Sequence, residues 1–153
     1  MVIIGIDPRK SSLTAVVVDR SGITVASRRF VVNAGTAAAL TAWSQRWPER
    51  RYAVEGAKGL GRGIAQILVA RGDDVVDVPS TLAMKVRVLS TGGGRKTDPD
   101  DARAVALAAL YHRDLHHVHG EDQSTIGAAA VRAPRRPHPG ADTGAQPVAP
   151  AAA

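Results

Sequence analysis

The opening run constrains this chain most. Val2, Ile3, Ile4 and Ile6 are apolar on both faces of an extended segment, and Asp7 closes it. A strand that is apolar on both sides belongs inside a sheet covered on both sides. Two more β-branched runs follow, at residues 13–19 and 23–32, with turn chemistry at Arg20-Ser21-Gly22 between them. Connections this short predict an antiparallel three-strand meander.

Helical signals then alternate with short strands. Asn33 is a capping residue for a helix through Thr36, Leu40 and Trp43, which Pro48 ends. Residues 52–55 read as a strand. Leu60, Ile64, Ile67 and Leu68 sit at helical spacing within 59–71, and Gly72 supplies a stop. Residues 75–78 form another strand, closed by Pro79, and 82–89 a short helix. Gly92, Gly93 and Gly94, followed by Arg95 and Lys96, give a mobile basic loop over 90–97. Ala102, Val105, Ala106, Ala109 and Leu110 mark one face of a last helix over 99–112. The order β-β-β-α-β-α-β-(α)-α is that expected of an α/β chain of the ribonuclease H-like fold, a mixed sheet flanked by helices. Aromatics are only 3% of the chain, so Val, Ile, Leu and Ala must build the core.

Beyond Gly120 the character changes. Residues 120–153 hold ten Ala and five of the nine Pro, with no aromatic. Such a segment buries too little apolar surface to offset its ordering entropy, which predicts a disordered tail after a domain at 1–119. Read one nucleotide later in GC-rich codons, residues 127–153 can encode an arginine-rich peptide with leucines at helical spacing. A frameshifted tail is therefore an expectation too.

The net charge is +6. From Gly120 onward three arginines cancel three acids, so 17 of the 20 basic and 11 of the 14 acidic residues lie in 1–119. A basic domain suits a polyanion such as DNA, because neutralised phosphates release counterions; an arginine-rich, soluble surface gives the same figure. No cysteine is present, which excludes disulfides and thiolate metal sites. Asp7, Arg9 and Lys10 break the first apolar run too early for a signal peptide, and no apolar stretch would span a bilayer. A cytoplasmic protein with no membrane contact is expected.

Four acids stand out by position. Asp7 and Glu55 each end a strand, where ligand sites of α/β sheets gather. Asp98 and Asp101, three apart at the start of the last helix, project from one face. Four converging carboxylates repel one another unless cations sit among them. Divalent magnesium prefers hard oxygen ligands, and two such ions about 4 Å apart clamp both oxygens of a phosphoryl displacement. Each acid also has a plain structural role open to it. Asp7 can start a turn with Pro8, and Glu55 can be a solvated strand end. Asp98 before Pro99 makes a good N-cap, with Asp101 three residues on, where acids suit the helix dipole. For that pair alone, capping is the stronger reading; Asp100 reads as a solvated first-turn acid. Only the joint pattern favours metal.

Three segments resemble the motifs of one transposase family: Gly5-Ile6-Asp7-Pro8-Arg9-Lys10, Val54-Glu55-Gly56-Ala57-Lys58-Gly59-Leu60-Gly61 and Lys96-Thr97-Asp98-Pro99-Asp100-Asp101-Ala102-Arg103. The family is that of the insertion sequences IS one-ten, the DEDD transposases related to Piv-type DNA invertases, and the resemblance covers about residues 1–125. It implies a RuvC-like domain with an Asp-Glu-Asp-Asp tetrad at Asp7, Glu55, Asp98 and Asp101 acting with Mg2+. It also implies DNA and a structured guide RNA as partners and a homo-oligomer in intact relatives. Lys10, Lys58, Arg95 and Lys96 become candidates for phosphate contacts, although Lys10 and Lys58 read more readily as solvated surface lysines. Intact members carry a helical connection and a carboxyl-terminal domain with a nucleophilic serine; neither is found in this chain, so strand transfer by this chain alone is not expected.

Two other classes share parts of the pattern. A RuvC-like junction nuclease, or a simple nucleic-acid-binding domain, fits the same acids. An actin-like ATPase shares the strand order and an early Asp, but predicts a second similar domain. The three glycines lack the Gly-Lys-Ser/Thr register of a Walker loop. His112, His116, His117 and His119 cluster without a firm second ligand pair, and read as a polar helix end. Trp43 and Trp47, at i and i+4, read as core or partner-facing residues.

Overall fold

A computed structural model describes residues 1–92 and 96–121 of the chain. Arg95 and the tail from Asp122 onward, with the disorder and frameshift expected there, lie outside the described residues. Two units follow one another, Met1–Gly120 and Glu121–Ala153; the fold below is that of the first.

Strands β1 (Val2–Pro8), β2 (Ser12–Val18) and β3 (Thr24–Val31) form the expected antiparallel meander. Helix α1 (Thr36–Ser44) leads to β4 (Arg50–Glu55), α2 (Arg62–Ala70) to β5 (Val75–Val78), and α3 (Ser80–Thr91) and α4 (Asp98–Tyr111) complete the unit. The five strands lie in the order β3-β2-β1-β4-β5, with β1–β4 and β4–β5 parallel. β1 is therefore central, as its two apolar faces require.

The strand period of two divides the side chains between two cores. Ile4, Ile6, Val17, Tyr52 and Val54 pack with Leu40 and Trp43 of α1 and Leu68 of α2. Ile3, Val16, Ala53, Val76 and Val78 pack with Ala83 of α3 and Ala102, Val105 and Ala106 of α4. Trp43 stacks edge-on against Phe30 at 5.8 Å and Trp47 at 5.1 Å, so both tryptophans serve the first core.

One close approach sets the geometry of the second layer. A Cβ on Gly5 would lie 2.5 Å from the Ala106 amide nitrogen and 2.8 Å from the Ala106 Cβ. Only a glycine in β1, facing alanines in α4, lets helix and strand come this near. The α4 N-terminus is thereby held beside the carboxyl end of β1.

Several boundaries differ from the sequence reading. Asn33 is not the α1 cap: its Oδ1 accepts from Gly35 N at 2.7 Å in a tight turn, and Gly35 takes the cap position. α1 ends at Ser44 rather than near Pro48, so Trp47 lies beyond the helix, in a turn where its amide donates to Ser44 O. α2 begins at Arg62, not Gly59, because residues 56–61 turn on themselves: the Gly59 and Gly61 amides both donate to Gly56 O. α3 takes in Ser90 and Thr91, which the sequence assigns to the loop, and ends at Gly92 with φ +70. After α4 the chain runs antiparallel beside β5, with Asp77 N donating to His116 O and Val118 N to Val75 O. His117 Nδ1 lies 3.0 Å from Asp74 Oδ1, and no histidine joins a metal-ligand cluster among the described residues.

Candidate metal centre

Asp7 follows Ile3 and Gly5 on the α4 side of β1, and Glu55 follows Ala53 on the same side of β4. The register pairs Ile6 with Val54, so the next residue in each parallel strand is one of the two acids. The helix supplies the other two. The N-cap of α4 is Thr97, not Asp98: Thr97 Oγ1 accepts from Asp100 N at 3.2 Å and donates to Asp100 Oδ2 at 2.6 Å. Asp100 thus joins an exposed cap at the helix start, and Asp98 is released from the capping role that suits it in isolation.

Oxygens of Asp7, Asp98 and Asp101 lie within 4.8 Å of one another. Glu55 stands outside that trio but lines the same cleft, of about 380 Å³, with Asp7, Asp101, Arg9, Arg87 and Lys96. Leu60 and Met84, both largely exposed, form apolar parts of its wall.

Burial makes this cluster electrostatically demanding. Asp7 is 2% exposed and Asp101 7%. Burial pushes the Asp7 carboxyl above its ordinary range, although the Arg9 hydrogen bond and charge pull it down; the neighbouring charges of Asp101 and Asp98 add to the rise. Glu55 is pushed up to about 7, first by burial and then by the charges of Asp7 and Asp101. Repelling acids of this kind call for cations.

Three basic side chains answer that call. Arg9 Nη2 lies 3.0 Å from Asp7 Oδ2, 2.8 Å from Asp101 Oδ2 and 3.8 Å from Asp98 Oδ1. Arg87 Nε reaches Asp101 Oδ1 at 3.3 Å, and Lys96 Nζ reaches Asp101 Oδ2 at 3.6 Å. A positive group already stands among the three aspartates, and the donor set is hard carboxylate oxygen without thiolate. Both observations fit a divalent cation of the magnesium, calcium or manganese type.

Of the basic residues singled out in the sequence, Lys96 is at the cleft. Lys10 is exposed and lines a neighbouring groove with Leu13, Val32 and Ile64. Arg9 and Arg87 were not singled out. Arg9 carried one signal, its place two residues after Asp7; Arg87 carried another, lying one helical turn after Ala83, which α3 buries against α4.

Similarity to known proteins identifies the fold and the family. The family profile of the IS110-type DEDD proteins, described as Transposase, matches residues 4–131. The insertion element IS116 uncharacterized 44.8 kDa protein of Streptomyces clavuligerus is 32% identical over 112 residues, 73% of this chain and 28% of that protein. The chain therefore spans little more than a quarter of that relative's length. Thermus thermophilus RuvC superposes with a TM-score of 0.57 at 19% identity, covering 77% of this chain and 100% of that one. T. thermophilus RuvC in complex with Holliday junction substrate gives 0.55 at 18% identity, covering 72% and 94%. Likeness at this identity shows the fold, a RuvC-like, ribonuclease H-like domain, and no more. The profile match over most of the chain carries the assignment: this chain belongs to the transposase family of the IS110-type DEDD proteins.

Proposed function

We propose that this domain, residues 1–119, is the divalent-metal catalytic domain of a DNA transposase, and that Asp7, Glu55, Asp98 and Asp101 are its metal-binding acids, with Mg2+ the physiological ion. The observation that carries the reading is the gathering of Asp7, on the first strand, with Asp98 and Asp101, at the start of the last helix, within 4.8 Å beside Glu55. Bound there, divalent cations supply positive charge to the attacking and leaving oxygens of a phosphodiester.

The chain's own residues account for the remaining tasks. β1 and α4, locked at Gly5, hold the acids at fixed separation, so their repulsion is not relieved by drifting apart. Lys96 and Arg87 set cationic groups on the cleft wall, where they orient phosphate oxygens. Lys10, on the adjoining groove, extends the basic track. Leu60 and Met84 offer apolar contacts to sugars or bases. The guide RNA, the oligomer and a serine supplied by the rest of a full-length relative belong to the same proposal, and they make strand transfer a property of the whole enzyme.

The test is Mg2+-dependent nicking of branched and linear DNA by the wild type and by Asp7→Ala. Nicking that needs Mg2+ and disappears in a folded Asp7→Ala protein supports the reading. Equal nicking by the variant, or binding to both DNAs with no Mg2+-dependent cleavage by the wild type, overturns the catalytic reading of this chain. Cleavage confined to branched DNA favours a junction nuclease instead.

A further inference from the structure

Arg9 occupies the place that the proposed cations need. Its Nε and Nη2 both donate to Asp7 Oδ2, at 3.1 and 3.0 Å, and Nη2 also donates to Asp101 Oδ2 at 2.8 Å. Cations of the magnesium or calcium class hold carboxylate oxygens at about 2.0–2.6 Å and repel a guanidinium sharing them. The same oxygens cannot serve both at full strength.

The two other basic groups are placed differently. Arg87 uses the opposite oxygen of Asp101, Oδ1, and its side chain is 17% exposed under α3. It can stay while Oδ2 changes partner. Lys96 stands farther off, at 3.6 Å, with its side chain 60% exposed. Arg9 is 41% exposed and lines both the acid cleft and the neighbouring, mainly apolar groove beside Lys10, so it has open space away from the aspartates.

We propose that Arg9 is an exchangeable counter-ion: it neutralises Asp7 and Asp101 in the metal-free protein, gives them up as divalent cations bind, and then meets a DNA phosphate beside the cleft. The inference rests on reading the cluster as a divalent-cation site. It explains how two buried aspartates tolerate folding before any ion arrives. It also couples loading to DNA binding, because cation entry releases the Arg9 guanidinium, whose planar fork suits a phosphate.

Calorimetric titration of the full chain with Mn2+ tests the exchange in the wild type, Arg9→Ala and Arg9→Lys. A charge-assisted competitor of this kind is expected to weaken cation binding about tenfold. Arg9→Ala should therefore bind Mn2+ about that much more tightly while melting earlier without metal, and Arg9→Lys should fall between it and the wild type. Fluorescence anisotropy with branched DNA in Ca2+ supplies the second readout: the gain in DNA affinity on adding Ca2+ should shrink in Arg9→Ala. Mn2+ binding by Arg9→Ala that is equal to or weaker than wild type overturns the exchange and leaves the metal site standing. Absence of Mn2+ binding in the wild type overturns the site reading and the exchange together. Should Arg9→Ala fail to fold, the Arg9→Lys titration decides alone, and an affinity no higher than wild type overturns the proposal.

Discussion

Gly5 is the contact on which the separation of the acids depends, and Gly5→Ala is the perturbation that loads it. The added methyl would sit 2.5 Å from the Ala106 amide nitrogen and 2.8 Å from its Cβ. Non-bonded carbon atoms settle at about 3.5–4.0 Å, so α4 must retreat by roughly 1 Å. The obstacle is helix backbone, which does not turn aside as a long side chain would. Overpacking of this kind costs about 1–3 kcal/mol, offset by at most about 1 kcal/mol of unfolded-state entropy removed with the glycine. A net cost of about 1–2 kcal/mol, the middle of that range, lowers Tm by roughly 3–10 °C for a domain of this size. The retreat also widens the gap between Asp7 on β1 and Asp98 and Asp101 on α4, so divalent binding should weaken beyond what lost stability explains. Ile4→Val is the control: Ile4 is fully buried on the opposite face of β1, and its loss should cost about 0.5–1.5 kcal/mol without moving α4. Thermal denaturation with and without Mn2+, with calorimetric titration of both variants, reads the two effects. Gly5→Ala with wild-type Tm and wild-type Mn2+ affinity would refute the reasoning.

Two further outcomes follow from the site. Glu55 has a folded pKa of about 7 against an ordinary 4.5, so the folded state favours its protonated form. Its contribution should therefore lower metal-free stability progressively as pH rises from about 4.5 through 7, and saturating Mg2+ should remove that loss. The difference in Tm between wild type and Glu55→Gln across this range measures it; a difference that does not change with pH contradicts the placement of Glu55. Thr97→Ala removes the α4 cap and should cost about 1 kcal/mol, read by urea denaturation, whereas an Asp98→Asn variant should keep its stability more nearly and lose divalent affinity. The reverse pattern would restore Asp98 as the cap.

The parts of this protein that follow from local pattern were legible in the sequence. β1 announced itself by two apolar faces, the meander by its turn at residues 20–22, and Asp7 and Glu55 by closing strands that the register sets side by side. The cap of α4 was not legible, because Thr97 and Asp98 are both good N-caps and Pro99 can follow either within the first turn. Tertiary packing decides between them, once Gly5 fixes where α4 lies. The same limit hid Arg9 and Arg87: the bond from Arg9 to Asp101 spans 92 residues, and no local period encodes it. The length of α3 was underestimated because its polar end, Ser90 and Thr91, looks like loop, while its αL stop at Gly92 lies among three glycines of which any could serve.

The central claim is that β1 and α4 bring acids from distant parts of the chain to a shared divalent cation. Electron paramagnetic resonance of Mn2+ titrated into the wild type, Asp7→Asn and Asp101→Asn measures this without relying on turnover. The account predicts that the free-ion signal is quenched by the wild type and that each substitution, one on the strand and one on the helix, sharply reduces the quenching. Mn2+ held equally well by all three proteins, or by none of them, would contradict it.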